Sequence, residues 1–230
     1  MRKLCLTLGL GLAFLGCSLS SQADEGGTYQ VSREVVERTM ADLVKLMREA
    51  EPPADEAGRQ QLIRELVERN LDPVVDFKRI VKRIMGKHFA DASKEQRNNF
   101  LDVFRNSLIN TYGKYLLDSD LRALAEKLHY MVLPLGRQRR EGKSSVNCII
   151  SLEGKEYEVV FSMYYNKQAK KWLMENMIVE GINLGINYRT QFDRLMVSYN
   201  GDYDRAIAEW STVDGGDNDG VAVESTEGGK

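Results

Sequence analysis

The amino-acid sequence predicts an α+β domain in which helices pack over one face of an antiparallel four-stranded sheet. Two observations carry that prediction. Apolar residues recur at helical spacing from Val36 to about Leu128, then at every second residue from Tyr130 to Val179, and return to helical spacing after Gly181. The four alternating runs follow one another through short connections, which makes them a half-buried antiparallel meander. Helices first, sheet second and helix last is the order of an α+β domain.

The two ends are set apart by composition. Arg2 and Lys3 precede an apolar run, Leu4–Gly16, that is too short to span a bilayer. Ser21-Gln22-Ala23 then places small residues where a signal peptidase reads, so residues 1–23 are expected to be a signal peptide cleaved before Asp24. Phe14-Leu15-Gly16-Cys17 is a loose lipobox and offers a second reading, in which Cys17 is lipidated. Residues 24–213 form the expected single domain, and 214–230 an acidic tail too poor in apolar residues to fold. Without Arg2 and Lys3 the chain has 30 basic residues against 34 acidic, and the five acids and one lysine of the tail account for that excess. The body is therefore neutral overall, which argues against a nucleic-acid partner.

In order along the chain, Ser32 is the expected N-cap of a helix from Arg33 to about Glu49, with Val36, Met40, Leu43, Val44 and Met47 on one stripe. Pro52 and Pro53 end it, and a second helix runs through Leu62, Ile63, Leu66 and Val67. Asp72-Pro73 reads as the start of a third, Val74–Met85, closed by Gly86. Ser93-Lys94-Glu95-Gln96 is a capping box that opens the longest helix, about Lys94–Leu117. Its wide stripe of Phe100, Leu101, Phe104, Leu108, Ile109, Tyr112 and Tyr115 is expected to floor the sheet. The strands are Tyr130–Leu133, Ser145–Leu152, Glu156–Tyr165 and Trp172–Val179, with Glu153-Gly154-Lys155 as a tight hairpin connection. Gly181 breaks the last strand, and helices follow at about Tyr188–Ser198 and near Asp204–Trp210.

The chemistry-bearing residues are few. Cys5 and Cys17 fall in the leader, so Cys148 is alone in the expected mature chain and stability must come from a core rather than a disulfide. His88, His129 and Cys148 have no metal-ligand spacing, and neither a nucleophile elbow nor a phosphate-cradling glycine loop occurs. No cofactor is expected. Lys78, Arg79, Lys82, Arg83 and Lys87 form the polar face of the third helix, and Arg137, Arg139, Arg140 and Lys143 lie in a basic loop. Each cluster reads either as a solvated surface or as a dock for acidic partner surfaces or anionic lipid headgroups. The excess of inward aromatic and methionine side chains fits a solid core or a ligand cavity equally well, because periodicity reports burial and not what does the burying.

Three blocks go further: DPVVDFKRIVKRIMGKHF, SKEQRNNFLDVFRNSLINTYGKYL and KWLMENMIVEGINLGINYRTQF. In this order and spacing they resemble the signature blocks of the MlaC, or toluene-tolerance auxiliary, family. The most specific part is Trp172, then Val179-Glu180-Gly181, then Asn187-Tyr188-Arg189-Thr190-Gln191-Phe192. The chain departs from the family at Gly86-Lys87-His88-Phe89, where an aromatic Tyr-Trp pair is commoner, and at the acidic tail. The resemblance implies an NTF-like sheet and helices enclosing an apolar lipid cavity, in a soluble, monomeric periplasmic phospholipid carrier that is not an enzyme. Its cargo would be glycerophospholipid. Its partners would be an outer-membrane lipoprotein–porin complex and an inner-membrane ABC transporter complex with a substrate-binding hexamer, and its role maintenance of outer-membrane lipid asymmetry.

On that reading the strands are expected to line the cavity with Val146, Cys148, Ile150, Val159, Phe161, Met163, Trp172, Met174 and Ile178, and the helices with Phe77, Ile80, Ile84, Phe104, Leu108 and Tyr112. Lys78, Lys82, Arg83, Arg137, Arg139 and Arg140 are the docking candidates. Two rival functions remain open: an isomerase-type enzyme on a small apolar substrate, using Glu175 and Tyr112, and a ligand-free periplasmic assembly chaperone.

Overall fold

Alternation in the sequence becomes an antiparallel meander of five strands in spatial order β1-β2-β3-β4-β5. The structure is a computed structural model that describes residues 25–212 apart from 52, 54, 119, 138 and 139, and omits the side chains of 25–28, 112–118, 211 and 212. The expected leader and acidic tail thus lie outside the described residues. The strands are β1 (His129–Val132), β2 (Lys143–Leu152), β3 (Lys155–Asn166), β4 (Lys171–Val179) and β5 (Ile182–Asn183). Four match the expected runs. The fifth is only two residues long, added after the Glu180-Gly181 turn, whose φ values of 50° and 76° suit a tight two-residue hairpin loop.

The face of the sheet carrying Val146, Cys148, Val159, Phe161, Met163 and Trp172 is covered by α1 (Glu25–Glu49), through Val36 and Met40. This helix begins well before the expected cap. Ser32 is fully buried inside it, donating to the Tyr29 carbonyl at 2.6 Å and lying 2.7 Å from Ser144 Oγ. A serine with capping chemistry serves here to satisfy a buried polar contact between α1 and β2.

The remaining helices are α2 (Glu56–Asn70), α3 (Phe77–Met85), α4 (Lys94–Asp118), α5 (Leu121–Lys127), α6 (Leu184–Ser198) and α7 (Tyr203–Thr212), with a 3₁₀ turn at Gly86–Phe89. The capping box forms as expected, Gln96 N donating to Ser93 Oγ and Ser93 N to Gln96 Oε1, both at 3.0 Å. The expected start at Asp72-Pro73 does not hold. The backbone of Val74 and Asp76 bonds Met174 of β4, and α3 starts only afterwards, capped by Asp76. Pairing with the sheet outweighs a local helix signal here. Nor does the aromatic stripe of α4 floor the sheet. Phe100 and Phe104 join Phe192 of α6 and Trp210 of α7 in a separate core, with Phe100 ring centroids 4.7 Å from Phe192 and 5.2 Å from Trp210.

Strand β4 is irregular at its centre. Ser162 faces Asn176 while Met163 faces Met174, so Glu175 is an extra residue, a β-bulge. Its side chain is 5% exposed and is held by Lys143 Nζ at 2.6 Å, Arg79 Nε at 2.5 Å and Arg83 Nη1 at 3.1 Å. Lys143 therefore belongs to β2 and this ion cluster, not to a solvated loop. Burial pushes the Glu175 carboxyl up, but bonds from Lys143 and Arg79 and the charge of Arg83 outweigh it and hold the pKa below the ordinary 4.5.

Past the β4–β5 turn, Asn183 caps α6 by accepting from Ile186 N at 3.1 Å, and Asn176 Oδ1 accepts from Gly185 N at 2.9 Å. A Cβ on Gly185 would stand 2.6 Å from Asn176 Oδ1, so this helix start admits only glycine without rearrangement.

Two predictions follow from β4 and its surroundings. Glu175→Gln should lower unfolding free energy at pH 7 by about 3 kcal/mol, the low end for breaking a buried pair, because the three cations keep part of their hydration. Since the native pKa is depressed, this contribution is complete above the ordinary carboxylate value and disappears as pH falls through the native one. Urea denaturation should thus show the gap between wild type and variant closing from pH 7 towards pH 3, and a constant gap contradicts the assignment. Gly185→Ala should cost about 1–3 kcal/mol by the overpacking it forces, and an unchanged melting temperature would show that the Asn176 contact is dispensable.

Candidate functional site

Between α1, α2, α3, α4, α6 and the middle of β4 the helices do not close on one another. They leave a cavity of about 330 Å³, within the size range of small-ligand sites. α1 contributes Leu43 and Met47, and α2 contributes Ile63, Leu66 and Val67. Leu71, Val75, Phe77 and Ile80 follow from the α2–α3 connection and α3, with Phe104, Leu108 and Ile109 from α4 and Leu121 from α5. β4 adds Met174, Asn176 and Met177, and the start of α6 adds Leu184, Gly185 and Tyr188. Each helix presents its apolar stripe inward. Val75 reaches the cavity because the chain before α3 is pinned beside Met174 by a backbone bridge.

Among these described lining residues Arg105 is the single charged side chain. It is 28% exposed, and its Nη2 donates to Asp72 Oδ1 at 2.8 Å and Oδ2 at 2.7 Å. Its guanidinium lies 5.1 Å from the Phe77 ring centroid. A site so dominated by hydrocarbon can hold an apolar molecule and orient it through one cation.

The expected lining residues divide between this cavity and solid core. Phe77, Ile80, Phe104, Leu108 and Met174 are brought together on the cavity wall. Ile84 is not: it is 1% exposed in the core between α3, α4 and α6. Val146, Cys148, Val159, Phe161, Met163 and Trp172 are buried under α1, with Ile150 packed against their margin. The space beside Phe161, Met163 and Met174 is about 30 Å³, room for one water. α1 fills most of that face, so that of the expected strand residues Met174 alone reaches the cavity. Ile178 is half-buried and pairs with Val160 and Asn183. The side chain of Tyr112 lies outside the described residues. Burial pushes the Cys148 thiol up, away from reactivity.

The lining from α2, α1 and α6 was not expected. The apolar stripes of α1 and α2 were visible in the sequence, but nothing in them says which of several buried surfaces they share. Met177 faces the cavity only because the bulge at Glu175 resets the alternation of β4.

Of the residues considered for proton chemistry, Glu175 does not line the cavity and is locked between three cations. His88 Nε2 lies 2.7 Å from Asp193 Oδ1 and its ring packs on Phe192 and Tyr203. Among the described residues no cluster of three metal-ligating side chains occurs, and no helix is long and apolar enough to cross a membrane. Of the docking candidates, Lys78, Lys82, Arg83, Arg137 and Arg140 are exposed, Arg83 while bonded to Glu175. Arg139 lies outside the described residues.

A depression of about 490 Å³ between α1 and β1 is larger, but Lys45, Arg48, Glu49 and His129 line it and suit it to water.

Comparison with known proteins agrees with this architecture. The phospholipid-binding protein from Ralstonia solanacearum, solved in complex with a phospholipid, shares the fold at a TM-score of 0.64 and 20% identity, over 78% of this chain and 98% of that one. Toluene tolerance protein ttg2D of Pseudomonas putida is 30% identical over 140 residues, which is 60% of this chain and 61% of the relative, so the match spans less than two thirds of that protein. The family described as MlaC protein matches residues 33–212, nearly the whole described body and every element that walls the cavity, and the chain belongs to that family.

Proposed function

We propose that this chain is a soluble periplasmic carrier of glycerophospholipid, exported by cleavage of residues 1–23, that takes acyl chains into the cavity between α1, α2, α3, α4, α6 and β4. It would exchange lipid with an outer-membrane lipoprotein–porin complex and an inner-membrane ABC transporter complex, and so help maintain outer-membrane lipid asymmetry. The observation that carries this reading is the cavity itself, about 330 Å³ with one charged residue in a wall that is mostly apolar. The phospholipid held by the Ralstonia relative supports acyl lipid as its occupant.

Energetics supports a carrier rather than free diffusion. Two acyl chains carry ~30 methylenes, and at ~0.8 kcal/mol each their exposure to water costs about 24 kcal/mol. A protein that supplies an environment close to bilayer hydrocarbon leaves transfer near balance and reversible at either end. No bond needs to be made, which suits a site whose nearby carboxylate, Glu175, is held ionised and away from the cavity.

The cavity and the α1-covered core separate two effects of mutation. Met177→Arg places a charge on the cavity wall and should abolish lipid detected by native mass spectrometry of the exported protein. Phe161→Ala, in solid core, should lower stability by about 3–5 kcal/mol while its folded fraction keeps the wild-type lipid stoichiometry. The reading fails if Met177→Arg stays fully loaded, or if wild type carries no acyl lipid.

A further inference from the structure

An apolar cavity discriminates poorly among molecules that share the same tails, because hydrocarbon contacts are the same for all of them. Selecting a phospholipid over diacylglycerol requires a polar contact where the cavity meets solvent. We propose that Arg105 is that contact: it binds the phosphodiester of the lipid, in exchange with the carboxylate of Asp72. This rests on the reading of the cavity as an acyl-lipid site.

Three features of Arg105 carry the proposal. It is the single charged side chain among the described lining residues and is 28% exposed, so it touches both the cavity and water. Its guanidinium is held in place, by Phe77 at 5.1 Å from the ring centroid and by Asp72. Both bonds to Asp72 come from Nη2, and among the described residues Nε and Nη1 make none. A planar fork held by one edge is suited to bidentate recognition of phosphate oxygens.

Asp72 makes the exchange easy. It is 33% exposed and sits in the turn between α2 and α3, where it returns to water when a phosphate takes its place. A pair so exposed holds weakly, so little is lost when it parts. Asp72 thus keeps the cation oriented and electrically matched until an anionic group arrives with its tails. The two residues then have opposite effects on selectivity, whereas an ion pair that only staples α4 to the α2–α3 turn needs both equally.

The full exported chain, stripped of lipid, tests this when offered equimolar dioleoylphosphatidylcholine and dioleoylglycerol with native mass spectrometry as readout. Arg105→Gln should cut the ratio of phospholipid to diacylglycerol bound by roughly tenfold, the worth of a charged hydrogen bond, with diacylglycerol loading unchanged. Asp72→Asn should raise the ratio. Inorganic phosphate and glycerophosphocholine should stay unbound by wild type, and appreciable binding of either makes this a free-anion site and overturns the lipid assignment. A wild-type ratio in Arg105→Gln overturns the anchor. Parallel loss of both lipids in both variants leaves only a structural clasp and also overturns it. If no variant, nor wild type, takes up either lipid, the failure lies with the cavity reading itself.

Discussion

Two backbone hydrogen bonds fix the geometry around the cavity. Met174 N donates to the Val74 carbonyl at 2.7 Å, and Asp76 N donates to the Met174 carbonyl at 3.0 Å. They fasten the chain between α2 and α3 to the outer side of β4. Because of them Val75 stands beside Met174 on the cavity wall, with Phe77 following it there, and Asp76 is placed to cap α3. That cap sets the rotation of α3, whose Arg79 and Arg83 then reach Glu175 at the bulge. One short stretch of extended chain thus joins cavity wall, helix start and buried ion cluster. In the low dielectric of the sheet margin such backbone bonds are hard to replace by water.

Much of the sheet was legible in the sequence because period two has few competing explanations. Tyr157, Val159, Phe161 and Met163 alternate with polar or smaller residues, and β3 forms where they do. Helix boundaries were less legible. Ser32 and Asp72-Pro73 both carry start signals, and both are overruled by contacts made with residues far away in sequence, Ser144 in one case and Met174 in the other. The two-residue β5 has no pattern to detect, since its pairing depends on where the Glu180-Gly181 turn delivers it.

The cavity was half legible. Phe77, Ile80, Phe104 and Leu108 lie on helices whose stripes point in one direction, so placing them inward was enough. The expected strand residues other than Met174 failed to reach it for a different reason. Periodicity shows that Val146, Cys148 and Phe161 are buried, but the partner that buries them is α1, whose own stripe of Val36 and Met40 fits that face. A chain with several amphipathic helices leaves the pairing of faces undetermined until the tertiary fold selects it. The bulge adds a second layer of concealment, because a single extra residue reverses the facing of everything after it.

The treatment of the sheet's borders has a consequence for how other proteins meet this one. One border of β4 is occupied near its start by Val75 and at its end by β5. At the opposite border Arg33 donates to the carbonyls of Val132 and Leu133, at 3.0 and 3.1 Å, where β1 ends. Part of each border is thus already occupied, which shortens the open edge that a strand from another molecule could pair with.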